Sequence, residues 1–141
     1  ALPHYDLVTK DEEVYVLESL MADPKGESTY TLLRATQYSK DNRLLPRGWQ
    51  SDHPDIEAMK PVGTAGDQSF AGGGDVVRYR LAVPDSGALN IEAQLLYQPY
   101  SARYAAELYQ WDTPEIRAFK TMMTTTKPQP ELVAAASGAV E

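Results

Sequence analysis

A chain of 141 residues, 43% hydrophobic and 23% charged, has the length and mixture of one folded domain with a single core. Its 13 Lys and Arg stand against 20 Asp and Glu, a formal charge of −7 that repels phosphate backbones and argues against nucleic acid as a partner. Without cysteine the chain has no disulfide, no thiolate zinc site and no C-x-x-C-H attachment point for a c-type haem, and no apolar run approaches the ~20 residues of a bilayer-spanning helix.

The first residue is Ala1 and not Met, and no basic stretch leading into an apolar segment marks an export signal. From Glu13 to Met21 the chain is rich in β-branched and aromatic residues on both parities, which predicts a strand buried on both faces. Asp23-Pro24-Lys25-Gly26 has the residues of a type I turn, because Pro presets φ at the second position and Gly relieves the fourth. A hairpin follows from it. Its second strand is expected over Ser28 to Thr36, where three threonines disfavour helix, although Leu32-Leu33-Arg34-Ala35 keeps a helical alternative open.

Tyr38 to Trp49 reads as a short strand and then a structured loop, with Pro46 and Gly48 near its end. From Gln50 to Gly74 the chain is crowded with Pro and Gly and has no sustained period; loops of this length inside compact domains tend to be functional or poorly ordered. The clearest alternation is that of Val76–Val83 and Leu89–Tyr97. It places Val77, Tyr79, Leu81 and Val83 on one face and Arg78 and Arg80 on the other, and it separates Leu89, Ile91, Ala93, Leu95 and Tyr97 from Asn90, Glu92 and Gln94. Joined by Pro84–Gly87, the two segments predict a hairpin with the arginines opposite Glu92.

Two short helices are expected next. Ser101 can cap one that carries Tyr104 and Leu108, with Tyr100 a turn earlier, and Thr113-Pro114-Glu115 starts another whose apolar stripe is Ile116, Phe119 and Met122 or Met123. Lys127-Pro128-Gln129-Pro130 stops it. The small-residue run Glu131–Glu141 lacks helical amphipathicity. The fold expected is mainly β, a β-sandwich of six to eight strands with one or two short C-terminal helices. The domain is expected over residues 1–127 and a flexible or extended tail over 128–141, both ends being cut or processed ends of a longer polypeptide.

Few residues could carry chemistry. The only histidines are His4, near the start, and His53 in SDHPD, and neither sits in a catalytic motif; each is better read as a solvated histidine, although His53 could give an axial nitrogen to a haem held elsewhere. Asp67, Asp75 and the glycines between them are ingredients of a calcium loop, yet a Gly-rich turn leading into a strand explains the same residues. Those glycines precede a strand and so fail as a phosphate loop. Of the aromatic residues, Tyr79, Tyr97 and Tyr104 are assigned to the core, leaving Trp49 and Trp111 as a candidate sugar-stacking pair. Lys40-Asp41-Asn42-Arg43 and Arg47 read as an internal ion-pair network in preference to a docking patch. No catalytic, cofactor-binding or metal residue is assigned. An enzyme would require a pocket gathering His53 with Asp52, Asp55 or Asp67.

At LLRATQYSKDNRLLPRGW (32–49), GGGDVVRYRLAVP (72–84) and IEAQLLYQPYSARYAAEL (91–108), the chain resembles the haem-free C-terminal region of bacterial multihaem c-type cytochrome proteins. The resemblance runs from about Val14 to the Thr113 helix. It implies a periplasmic or otherwise exported electron-transfer protein whose haem c groups lie outside this fragment. The domain is then a non-catalytic accessory module, with no cofactor of its own, which packs on the haem-binding domain of the same parent chain or docks partners. The alternative is a carbohydrate- or ligand-binding β-sandwich module.

Overall fold

The computed structural model describes residues 3–83 and 87–140. Strands and loops dominate. The elements in chain order are β1 (Leu7–Val8), β2 (Ser19–Ala22), β3 (Ser28–Thr29), β4 (Gln37–Asp41), α1 (Ile56–Met59), β5 (Arg78–Tyr79), β6 (Leu89–Tyr97), α2 (Ala102–Leu108), α3 (Pro114–Thr126) and β7 (Glu131–Val140). In place of the two large facing sheets expected of a sandwich there are three small ones, β1-β5, β3-β2-β4 and β6-β7. The chain divides into two compact units, Ala1–Ala82 and Val83–Glu141.

In the first unit the turn at Asp23 forms as its residues dictate. Gly26 N–H donates to the Asp23 carbonyl at 2.9 Å, and the Asp23 carboxylate accepts from the N–H of Lys25 and Glu27. Gly26 takes φ +83°, a conformation open to glycine without strain. The hairpin it joins is short, pairing Met21 with Thr29 and Ala22 with Ser28. Beyond it, residues 32–34 form a turn, neither the expected strand nor a helix, with Ala35 N–H on the Thr31 carbonyl at 3.2 Å. β4 pairs antiparallel with the other edge of β2, and Ser39 is the extra residue of a bulge opposite Leu20 and Met21. The Ser39 hydroxyl donates to the Leu20 carbonyl at 3.1 Å, replacing a bond the ladder drops there.

The strand expected over Glu13–Met21 begins only at Ser19. Just before it, Val16 and Glu18 bond chiefly to side chains, although the Glu18 carbonyl accepts from Asn42 N–H at 3.2 Å. Val16 C=O accepts from Asn42 Nδ2 and Lys40 Nζ, both at 2.9 Å, and Glu18 N–H donates to Asn42 Oδ1, so a ladder partner is not needed. The unit is correspondingly rich in enclosed polar groups: the buried apolar side chains are Val8, Leu20 and Ala22, and Thr29, Lys40 and Asn42 are buried with them.

The hairpin expected between Val76–Val83 and Leu89–Tyr97 is corrected. Arg78–Tyr79 pairs in parallel with Leu7–Val8, and Arg78 forms an ion pair with Asp6 at 2.6 Å, while Leu89–Tyr97 pairs antiparallel with Glu131–Val140. The joining residues 84–86 lie outside the described ones. Alternation fixed which side chains share a face but not which strand lies alongside, because β7 supplies a longer ladder than the segment before the turn. Glu131–Val140, expected as tail, is thus a ten-residue strand.

In the second unit the helix signals hold. Ser101 Oγ accepts from Tyr104 N–H at 3.1 Å and Thr113 Oγ1 from Ile116 N–H at 3.3 Å, with Pro114 at the first helical position. Lys127 ends α3 in the left-handed region at φ 46°. Ile116, Phe119 and Met123 are half-buried, so Met123 and not Met122 completes the stripe. Phe119 packs between Tyr100 and Tyr109, 6.2 and 6.3 Å away, and Tyr100 O–H donates to the Met123 sulfur at 3.2 Å. Tyr79, Tyr97 and Tyr104, which the sequence assigns to the core, are 57%, 57% and 38% exposed. No helix among the described residues is long and apolar enough to cross a membrane.

Candidate functional site at His4, Asp67 and Asp75

Within the first unit, the loop after α1 returns Asp67 and Asp75 to the segment that opens the chain, where they meet His4. The side chains of all three are only 3–4% exposed. The His4 ring lies edge-on to Phe70, 5.3 Å between centroids, and tilted against Tyr15 at 5.8 Å. One nitrogen or oxygen from each of His4, Asp67 and Asp75 falls within 4.8 Å of the others, a spacing one divalent ion could span with a mixed imidazole and carboxylate donor set.

The hydrogen bonds decide against that use. Asn42 is wholly buried, and its amide is oriented by two backbone groups, Glu18 N–H on Oδ1 and the Val16 carbonyl facing Nδ2. The second Nδ2 hydrogen therefore points at His4 Nδ1, 3.1 Å away, making Nδ1 an acceptor. The ring proton is assigned to Nε2, which donates to Asp67 Oδ2 at 2.9 Å. A metal on Nε2 would drive the proton to Nδ1, where it would confront an N–H of Asn42; a ligating histidine requires an acceptor behind it.

The carboxylate oxygens are also engaged. Asp67 Oδ1 accepts from Ser69 N–H at 2.8 Å and from its hydroxyl at 2.7 Å; Asp75 Oδ1 accepts from Val76 N–H at 2.7 Å, and Tyr15 O–H donates to Asp75 Oδ2. Burial works against the charge of Asp67, but the Ser69 hydroxyl, His4 and Ser69 N–H outweigh it and lower its carboxyl to about 2. Burial and the Asp75 carboxylate push the Tyr15 phenol above the ordinary tyrosine range, so it stays a donor. Both His4 nitrogens are thus occupied, and the Ser69 hydroxyl is turned to Asp67 Oδ1. The cluster is a closed polar node that fastens the opening segment to the 67–75 loop.

The neighbouring 40–43 stretch makes two separate ion pairs, one buried and one at the surface. Lys40, 3% exposed, sends Nζ to Glu18 at 3.2 Å as well as to Val16, and Arg43 holds Asp41 with two bonds at 2.8 and 2.6 Å. Arg47 explains one glycine of the loop: a Cβ on Gly73, at φ +95°, would lie 2.8 Å from Arg47 Cγ. His53 stands apart from the node, its side chain 47% exposed, with Nδ1 accepting from Asp55 N–H at 3.2 Å. Asp67, one of its proposed enzymatic companions, is committed to His4. Trp49 is half-buried with its Nε1 enclosed and unpaired, and Trp111, in the other unit, is 53% exposed.

Asp67 and Asp75 stand out in the sequence; His4 does not, because its partners lie 38 and 63 residues away and no local motif announces it. Comparisons with protein-family models, curated proteins and solved structures find no match to this chain.

Proposed function

We propose that this chain is a non-catalytic accessory module of an exported multihaem c-type cytochrome protein, one that packs its apolar surface on the haem-binding domain of the same polypeptide or docks that domain's partners. The observation that carries this reading is the distribution of apolar side chains. Among the described residues three are buried, whereas twenty-one large ones are exposed, including Leu33 at 99% and Leu32 at 76%. A surface of that kind is what packing on another body removes from water. The sandwich suggested by the strand patterning is completed, on this reading, by surface outside the fragment. The resemblance carried by residues 32–49, 72–84 and 91–108 supplies the identity of that surface.

Two measurements test it. The purified chain is expected to show no Soret absorbance, and the reading frame upstream of Ala1 is expected to encode several C-x-x-C-H motifs; a frame with none ends the cytochrome assignment. Hydrogen exchange should slow in segments 32–33, 76–83 and 89–97 when the chain is part of the parent polypeptide. Equal exchange in both forms would end the packing reading.

A further inference from the structure

We infer that the outer edge of β7 is a pairing site for a second copy of this chain, joined antiparallel through Ala134–Val140. The inference uses a strand edge and is independent of the cytochrome reading. Among the described residues β7 is hydrogen-bonded on one side only, to β6, and all ten of its residues are exposed. A two-stranded ribbon is marginal in water unless further strands or a covering layer complete it. Natural edges are guarded by Pro, Lys or inward-pointing charges, and Leu132–Val140 contains none of these. Its one guard is a bulge: Leu95 faces Ala134 and Leu96 faces Leu132, leaving Val133 as the extra residue. Regular pairing is therefore available from Ala134 onward.

The occupant follows from register. Ala134, Ala136, Gly138 and Val140 oppose Leu95, Ala93, Ile91 and Leu89, so the even positions of β7 share the apolar face of the ribbon, and Ser137, opposite Glu92, lies on the polar face. A twofold axis at Ser137 sets Ser137 against its counterpart, Ala136 against Gly138 and Ala134 against Val140. Even positions meet even positions, and the apolar face runs unbroken across four strands. Every opposed pair in this register is small or aliphatic, apart from serine on serine, and no ionisable side chain is brought against its like along the edge. The paired edge is only ~24 Å long, well short of a standard dimer interface, so the association is weak.

Sedimentation equilibrium of the 141-residue chain between ~10 μM and ~1 mM should show a monomer–dimer equilibrium, strengthened by salt because each copy carries −7. Ser137→Lys gains an opposite charge across the strand in the monomer, from Glu92, but opposes two ammonium groups at the axis; it should weaken the dimer about fivefold. Register is read by disulfide formation, the chain having no other thiol. Ser137→Cys should cross-link with itself, whereas Ala135→Cys and Ala139→Cys should cross-link only when mixed with each other. A monomer throughout, unchanged association in Ser137→Lys, or equal self-cross-linking at the three positions would overturn the proposal.

Discussion

Asn42 decides the state of its whole neighbourhood, since one buried amide serves Val16, Glu18 and His4 together. Asn42→Ala leaves the Glu18 N–H and an imidazole nitrogen enclosed without partners and leaves the Val16 carbonyl to Lys40 alone, and should destabilise the first unit by about 2–3 kcal/mol in urea denaturation. Long-range proton–nitrogen NMR should find the His4 proton on Nε2, unmoved by millimolar calcium or zinc; a metal-dependent shift at that ring would sink the reading of the node as structural. Asp67 sets the acid limit. Its carboxyl is lowered in the folded chain to about 2 from 3.8, so the stability it contributes is present above pH ~4 and is lost as pH falls toward 2, a loss that Asp67→Asn should abolish in a circular-dichroism titration. Tyr15 acts at the other end. Its raised value favours the fold below pH ~10 and that contribution fades at higher pH, where Tyr15→Phe should flatten the profile.

Helix ends, among the secondary elements, behaved as local chemistry directs, because capping depends on residues within one turn. Thr113→Ala should lower stability by about 1 kcal/mol, through the lost bond to Ile116 N–H. Lys127→Gly should raise it by about 0.5–1 kcal/mol by relieving a left-handed non-glycine residue; thermal melts of the pair test both signs. The turn at Asp23–Gly26 was legible for the same reason, and so was Leu89–Tyr97 as a strand. Strand partnership was not. Arg78 and Arg80 alternate with apolar residues as a hairpin requires, yet pairing is a long-range property, and the run Leu132–Val140 reads only as a flexible or extended tail because Ala, Ser and Gly are poor strand formers. His4 escaped for a related reason: convergence across sixty residues leaves no periodic trace.

At the scale of the whole molecule, enclosed apolar surface is scarce among the described residues. Leu20 is fully buried at the centre of the β3-β2-β4 sheet, and Leu20→Ala should cost about 3 kcal/mol and abolish cooperative melting of the first unit. The chain should bind the dye ANS under native conditions; no enhancement would contradict the exposure of so many large apolar groups. Composition announced a domain of ordinary hydrophobicity, and this was misleading about where the hydrophobic residues sit. A percentage counts side chains without saying which of them find each other.

The fastening of His4 has a practical corollary. Removing His4 would delete a ring whose two nitrogens answer Asn42 and Asp67 inside the protein, so loosening of this segment would propagate to the loop bearing Asp75. A fragment begun at Tyr5 would yield a softer, more protease-sensitive product than one that keeps His4.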